Sequence, residues 1–174
     1  MDTTTDDSAI DVNWTTFLYA HPDGVTFSKL VPGWPKNWMN CCAKLSCAFN
    51  ATDDPIANYE YADKNSPTGK VRAKQIAGEN YLLAVHDLRS YLSNKYFEPE
   101  RYESKQDFEQ ATGASRYGII AFGLMHVDVW VNGNIHYPAN YNLGYLWNKR
   151  NWEGEKLMFW EVVQQSSQGC AFPG

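Results

Sequence analysis

The sequence predicts an α+β fold, with N-terminal helices packed on a central antiparallel β-sheet. Three observations carry that expectation. Helical spacing of apolar residues dominates the first half of the chain, strict two-residue alternation appears only after residue 117, and an Asn-Gly pair punctuates the alternating region.

The elements follow in order. Residues 1–12 are rich in Thr and Asp with no periodicity, which predicts a mobile acidic tail ahead of one folded unit over residues 13–174. Phe27 to Leu30 suits a helical turn, and Pro32-Gly33-Trp34-Pro35 demands a loop. A helix is expected from Cys41 to Phe49, with Asn40 as a side-chain N-cap. Asn50 to Gly69 is polar and turn-rich, hence a surface loop. Tyr81, Val85, Leu88 and Leu92 form one apolar stripe, which predicts a long helix over 73–94. Phe97 to Gln106 is a connector before a short helix near Phe108 to Ala111. Tyr117 to Phe122 is a buried strand by its compact apolar run, and His126 to Val131 alternates. Asn132-Gly133 is a hairpin turn, Asn134 to Tyr137 the returning strand, Met158 to Val163 a late strand, and Ser166 to Gly174 a polar tail.

Composition narrows the function. A chain of 174 residues, 44% hydrophobic and 20% charged, can bury an ordinary core. The formal charge of -5, with Lys and Arg scattered singly, lacks the basic footprint of a nucleic-acid binder. No apolar run is long enough to enter a membrane, and the polar N-terminus has no secretory-signal pattern. The four cysteines, Cys41, Cys42, Cys47 and Cys170, are too clustered for a disulfide framework and show no paired CxxC. A catalytic thiol accompanied by one disulfide or by two buried thiols is the expected arrangement. Seven Trp and an aromatic share of 15% leave open a sugar-stacking binding module, although an ordinary core uses aromatics at the same level.

Chemistry concentrates at two places. Cys41 and Cys42 both stand at a predicted helix N-terminus, where unpaired N–H groups and the helix dipole favour a thiolate. His126 lies on the alternating strand and shares a face with Asp128 and Trp130. An imidazole beside such a thiol takes its proton and returns it to a leaving amine. A third group should fix the imidazole. A two-residue turn at Asn132-Gly133 sets Ala139 opposite His126, whereas a three-residue loop sets Asn140 there. Asn140 is therefore the polar candidate, with Asp128 and His136 as alternatives and Cys42 as the alternative nucleophile. Trp38 and Trp130 are candidate substrate-groove residues. His21 and His86 carry no signal. Zinc sites of the HExxH type need a helical spacing that is missing, and neither a metal nor a cofactor is expected.

The motifs taken together resemble the fourth family of type VI secretion system amidase effectors, bacterial toxins related to the NlpC/P60 peptidases. The resemblance rests on Phe27 to Leu30, Trp34-Pro35, the run Cys41-Cys42-Ala43-Lys44-Leu45-Ser46-Cys47-Ala48-Phe49, Gly118-Ile119-Ile120, and His126-Val127-Asp128-Val129-Trp130 followed by Asn132-Gly133. It implies a papain-like, NlpC/P60-like fold with Cys41 as nucleophile. The family carries its third catalytic residue as an Asp on the returning strand, where this chain has none, and it separates the Gly-Ile-Ile strand from the histidine by a longer insertion. The resemblance further implies a peptidoglycan peptide substrate, cut between D-glutamate and meso-diaminopimelate. It also implies export by the type VI machinery without a signal peptide, action in the periplasm of a target bacterium, and a cognate immunity protein. An oxidising destination would permit a disulfide involving Cys170.

Overall fold

The computed structural model describes residues 9–56, 73–112, 116–138, 141–152 and 154–164. Fifteen short helices and strands occur among the described residues. In chain order they are β1 (Ile10–Val12), α1 (Trp14–Ala20), α2 (Gly24–Leu30), α3 (Cys41–Asn50), β2 (Ala73–Ile76), β3 (Glu79–Leu82), α4 (Val85–Lys95), β4 (Glu100–Tyr102), α5 (Lys105–Thr112), β5 (Gly118–Phe122), β6 (His126–Val131), β7 (Asn134–Ile135), α6 (Leu143–Leu146), a 3₁₀ turn (Lys149–Trp152) and β8 (Leu157–Gln164).

The main sheet has the order β1-β8-β5-β6-β7, and β4 also pairs with β8. All its ladders are antiparallel except β1 on β8. Alternation assigns the two faces of β6 to different surroundings. Val127 and Val129 join the cluster built by α1, α3 and α4, whereas Trp130 belongs to a second cluster with Phe108, Ile120, Phe122, Trp152 and Phe159. α3 lies across the first face. α1 is locked to it by the edge-on packing of Phe17 and Phe49, with ring centroids 5.0 Å apart. Asn13 caps α1 and Asp23 caps α2 through side-chain bonds to Thr16 N and Thr26 N. Ser46 donates to Cys42 O and accepts from Leu82 N, tying β3 to the middle of α3.

Several sequence expectations need correction. The long helix over 73–94 is a β2–β3 hairpin followed by the shorter α4. Ala77 and Gly78 adopt φ of 51° and 86°, a reversal that no helix accommodates, so only Val85, Leu88 and Leu92 of the apolar stripe share a helix. Residues 10–12 are not tail: Ile10 and Val12 are buried and pair in parallel with Val162 and Gln164. The stretch 97–106 contains β4. Asn40 stands at the N-cap of α3, yet its side chain makes no capping bond. The returning strand is only two residues long, because Tyr137 takes φ of 57° and ends the ladder after the His136 N to Val129 O bond of 2.7 Å. The surface loop is described only as far as residue 56, and the C-terminal tail lies outside the described residues.

Gly118 shows how tightly the sheet is assembled. A Cβ there would lie 2.3 Å from the Trp160 carbonyl oxygen and 2.6 Å from the Phe159 ring. Because backbone and a buried ring stand in the way, Gly118→Ala should cost about 1–3 kcal/mol. Urea unfolding should show a lower midpoint at unchanged slope.

Candidate active site

Cys41 is the first residue of α3 and His126 the first of β6. Gly123 makes the tight β5–β6 connection with φ of 57°, and Met125 N bonds to Phe122 O at 3.0 Å, so His126 emerges directly from a rigid turn. The Cys41 thiol and the His126 imidazole act on one another electrostatically, and the backbone N–H of Val127 acts on Cys41 as well. On the far side of the ring, His126 Nε2 lies 3.2 Å from Asp128 Oδ2. That contact leaves Nδ1 for the thiol.

Electrostatics polarise this set. The thiol of Cys41 is held well below its ordinary pKa, first by the hydrogen bond with Cys42, whose sulfur is 4.0 Å away, and then by His126. Burial alone would lower the His126 pKa, but bonding to Asp128 and Cys41 outweighs it and raises the ring to about 9. Burial pushes Cys42 strongly upward and Cys47 to about 12. These shifts favour a thiolate–imidazolium pair, with Cys41 the more readily ionised of the two adjacent thiols. Cys41, Cys42 and Cys47 are free thiols, and Cys170 lies outside the described residues.

Asp128 is only 1% exposed. Its Oδ1 accepts from Val129 N at 2.8 Å and stands 3.9 Å from His21 Nε2. Although burial works to raise its pKa, His126, His21 and Lys44 hold it below the ordinary value. His21 closes α1, with its N–H bonded to Phe17 O. Burial drives its imidazole to about 3, so it is neutral, and its Nδ1 meets His136 Nδ1 at 3.0 Å. Tyr141 packs on His126 with ring centroids 4.7 Å apart.

The cleft beside the thiol has a volume of about 370 Å³ and is lined by Trp38, Met39, Cys41, Leu83, Ala84, Val85 and Leu124. Trp38, one of the two candidate groove residues, lines this cleft. Trp130 does not: it is 2% exposed, its ring 5.0 Å from Phe108. It shares the face of His126, but two further steps along β6 carry it beneath α5. Asn140 lies outside the described residues, and the three-residue loop that favoured it is not formed, since Val131 pairs with Asn134 across a two-residue turn. His136 reaches the site through His21. Sequence reasoning missed His21, Lys44 and Tyr141. Of these, only Lys44, one helical turn after Cys41, carried a positional hint.

A thiol-bearing helix laid across an antiparallel sheet makes this a papain-like α+β fold of the NlpC/P60 kind. A sequence profile described as type VI secretion system (T6SS), amidase effector protein 4, matches residues 38–160, and the chain belongs to that family of amidase effectors. Among solved structures it is similar to the Tae4–Tai4 effector–immunity complex from Enterobacter cloacae, with a TM-score of 0.55, 17% identity, and coverage of 87% of this chain and 96% of that one. The effector Tae4 from Enterobacter cloacae gives a TM-score of 0.54 at 19% identity, covering 87% and 94%. Tae4 from Salmonella typhimurium in complex with Tai4 from Enterobacter cloacae gives 0.53 at 18%, covering 87% and 96%. At these identities the likeness speaks to the fold. No curated protein sequence matches the chain.

Two outcomes are expected. Iodoacetamide at mildly acidic pH should label Cys41 and spare Cys42 and Cys47, as read by peptide mass mapping. Asp128→Asn should bring the His126 titration down from about 9 towards its ordinary value, followed by NMR. The sign for stability follows: a raised imidazole pKa contributes fully below about 6.5 and is lost as pH rises through about 9, so the Asp128→Asn penalty should shrink at alkaline pH.

Proposed function

We propose that this chain is a cysteine amidase that cuts the peptide stem of peptidoglycan. The observation that carries the reading is the Cys41 thiol paired with His126 at the edge of an open cleft, in a chain of the amidase effector family. Cys41 is the nucleophile and His126 the general base and acid. Asp128, at 3.2 Å from Nε2, fixes the ring, the role that the sequence favoured for Asn140.

The thiolate attacks the scissile carbonyl carbon, and the carbonyl oxygen takes the negative charge. Backbone N–H groups in the first turn of α3, which the Asn40 side chain does not cap, are the donors available to that oxyanion. His126 Nδ1 gives its proton to the departing amine, which leaves a thioester. A water then attacks, with its proton passing to His126, and the acid product and thiolate are released. The peptide lies along the apolar cleft against Trp38, Met39 and Leu124.

The bond between D-glutamate and meso-diaminopimelate is the proposed point of cleavage. Delivery by a type VI apparatus into the periplasm of a target bacterium gives the enzyme access to it. Two of the similar Tae4 structures are complexes with the immunity protein Tai4, and a cognate inhibitor covering this cleft would protect the producer.

Purified muropeptides incubated with the protein should release a new amine, detected by mass spectrometry. His126→Ala should lower the rate by about 10²–10⁴-fold. Cys41→Ala should abolish it, whereas Cys42→Ala should slow it without abolishing it. Cleavage that survives Cys41→Ala would sink the proposal.

A further inference from the structure

Lys44 is 3% exposed, which is unusual for a lysine unless an opposite charge accompanies it. Its Nζ donates to Tyr141 Oη at 2.8 Å. The Tyr141 ring packs on His126 with centroids 4.7 Å apart, beside the Asp128 carboxylate that His126 faces, and both the Tyr141 hydroxyl and Lys44 act on that carboxylate electrostatically. Direction follows from chemistry alone. An ammonium has donors and no acceptor, so Tyr141 must accept from Lys44, and its single proton is then free for Asp128. Burial keeps the phenol protonated. Asp128 Oδ2 faces His126, and Oδ1 is held by Val129 N.

We propose that Lys44 and Tyr141 form a positioning pair that orients the Asp128 carboxylate towards His126, an assignment that rests on the cysteine–histidine reading of the site. Helix α3 thereby contributes twice to the same centre. Its first residue supplies the reacting sulfur, and its fourth residue steers the carboxylate that steers the imidazole. The amine of Lys44 reaches the site from α3, while Asp128 comes from β6 and Tyr141 from the segment preceding α6. The arrangement therefore also couples the helix to the strand it must meet. The Tyr141 ring also packs on His126, a contact that Tyr141→Phe keeps, so what Lys44 and the Tyr141 hydroxyl contribute acts through Asp128.

A double-variant cycle on muropeptide hydrolysis tests the pair. Lys44→Met keeps the length of the side chain and removes the donor, and Tyr141→Phe removes one hydroxyl. Each should lower kcat, by up to about 100-fold if the carboxylate shifts by an ångström, with KM unchanged. The double variant should lose no more than the worse single one. Full kcat in Tyr141→Phe, or losses that multiply in the double variant, would overturn the pairing. If Lys44→Met does not fold, Tyr141→Phe in an Asp128→Asn background decides: no further loss supports the inference and an added loss refutes it. Failure of the wild type to cleave muropeptides would count against the proposed function instead. In that event the rate of Cys41 alkylation by iodoacetamide at mildly acidic pH still reads the pair, slowed by either substitution if it stands and unchanged if it does not.

Discussion

A carboxylate held almost wholly out of water is the constraint around which the molecule is organised. Ionised Asp128 in so dry a place costs several kcal/mol unless bonds and opposite charge offset it. The fold supplies those from four directions: the Val129 amide, the His126 ring, the Tyr141 hydroxyl backed by Lys44, and His21 at a greater distance. Val129 and His126 flank it on β6 and the others come from distant segments, so satisfying this one group draws α1, α3, β6 and the segment before α6 together. In return the carboxylate favours a positive imidazole next to a sulfur whose pKa is held low, while burial raises that of its immediate neighbour, one residue along.

The dyad itself depends on two chain reversals rather than on long-range packing alone. Cys41 begins a helix after a Pro- and Gly-rich loop, and His126 begins a strand after the turn at Gly123. Both groups thus sit at element ends, each held in place by the loop or turn that precedes it. The cleft walls are apolar, and this dryness strengthens every charge interaction at its edge.

Much of this was readable in the residues. Helix α3, strands β5, β6 and β8 and the Asn132-Gly133 turn each have a local period or turn chemistry that decides them. The pairing of Cys41 with His126 followed from helix-start and strand logic, and the shared face of His126 and Asp128 followed from alternation. What escaped depends on partners distant in sequence. Strand β1 exists because β8 offers it an edge, and the β2–β3 hairpin hides inside a spacing that also suits a helix. Trp130 has the right parity but the wrong depth along β6. His21, Lys44 and Tyr141 meet Asp128 only once three separate segments have docked, so no window of sequence contains the signal.

The alternation of β6 has an evolutionary corollary. Its odd-numbered valines answer only to volume and its even-numbered His126 and Asp128 only to chemistry, so point changes can accumulate on one side without touching the other. Loss or gain of one residue in this strand is another matter. It would rotate every side chain past it by half a turn, putting imidazole or carboxylate into grease and valine into the catalytic cluster. Divergence in this lineage should therefore proceed by exchange of letters in β6 and by changes of length elsewhere.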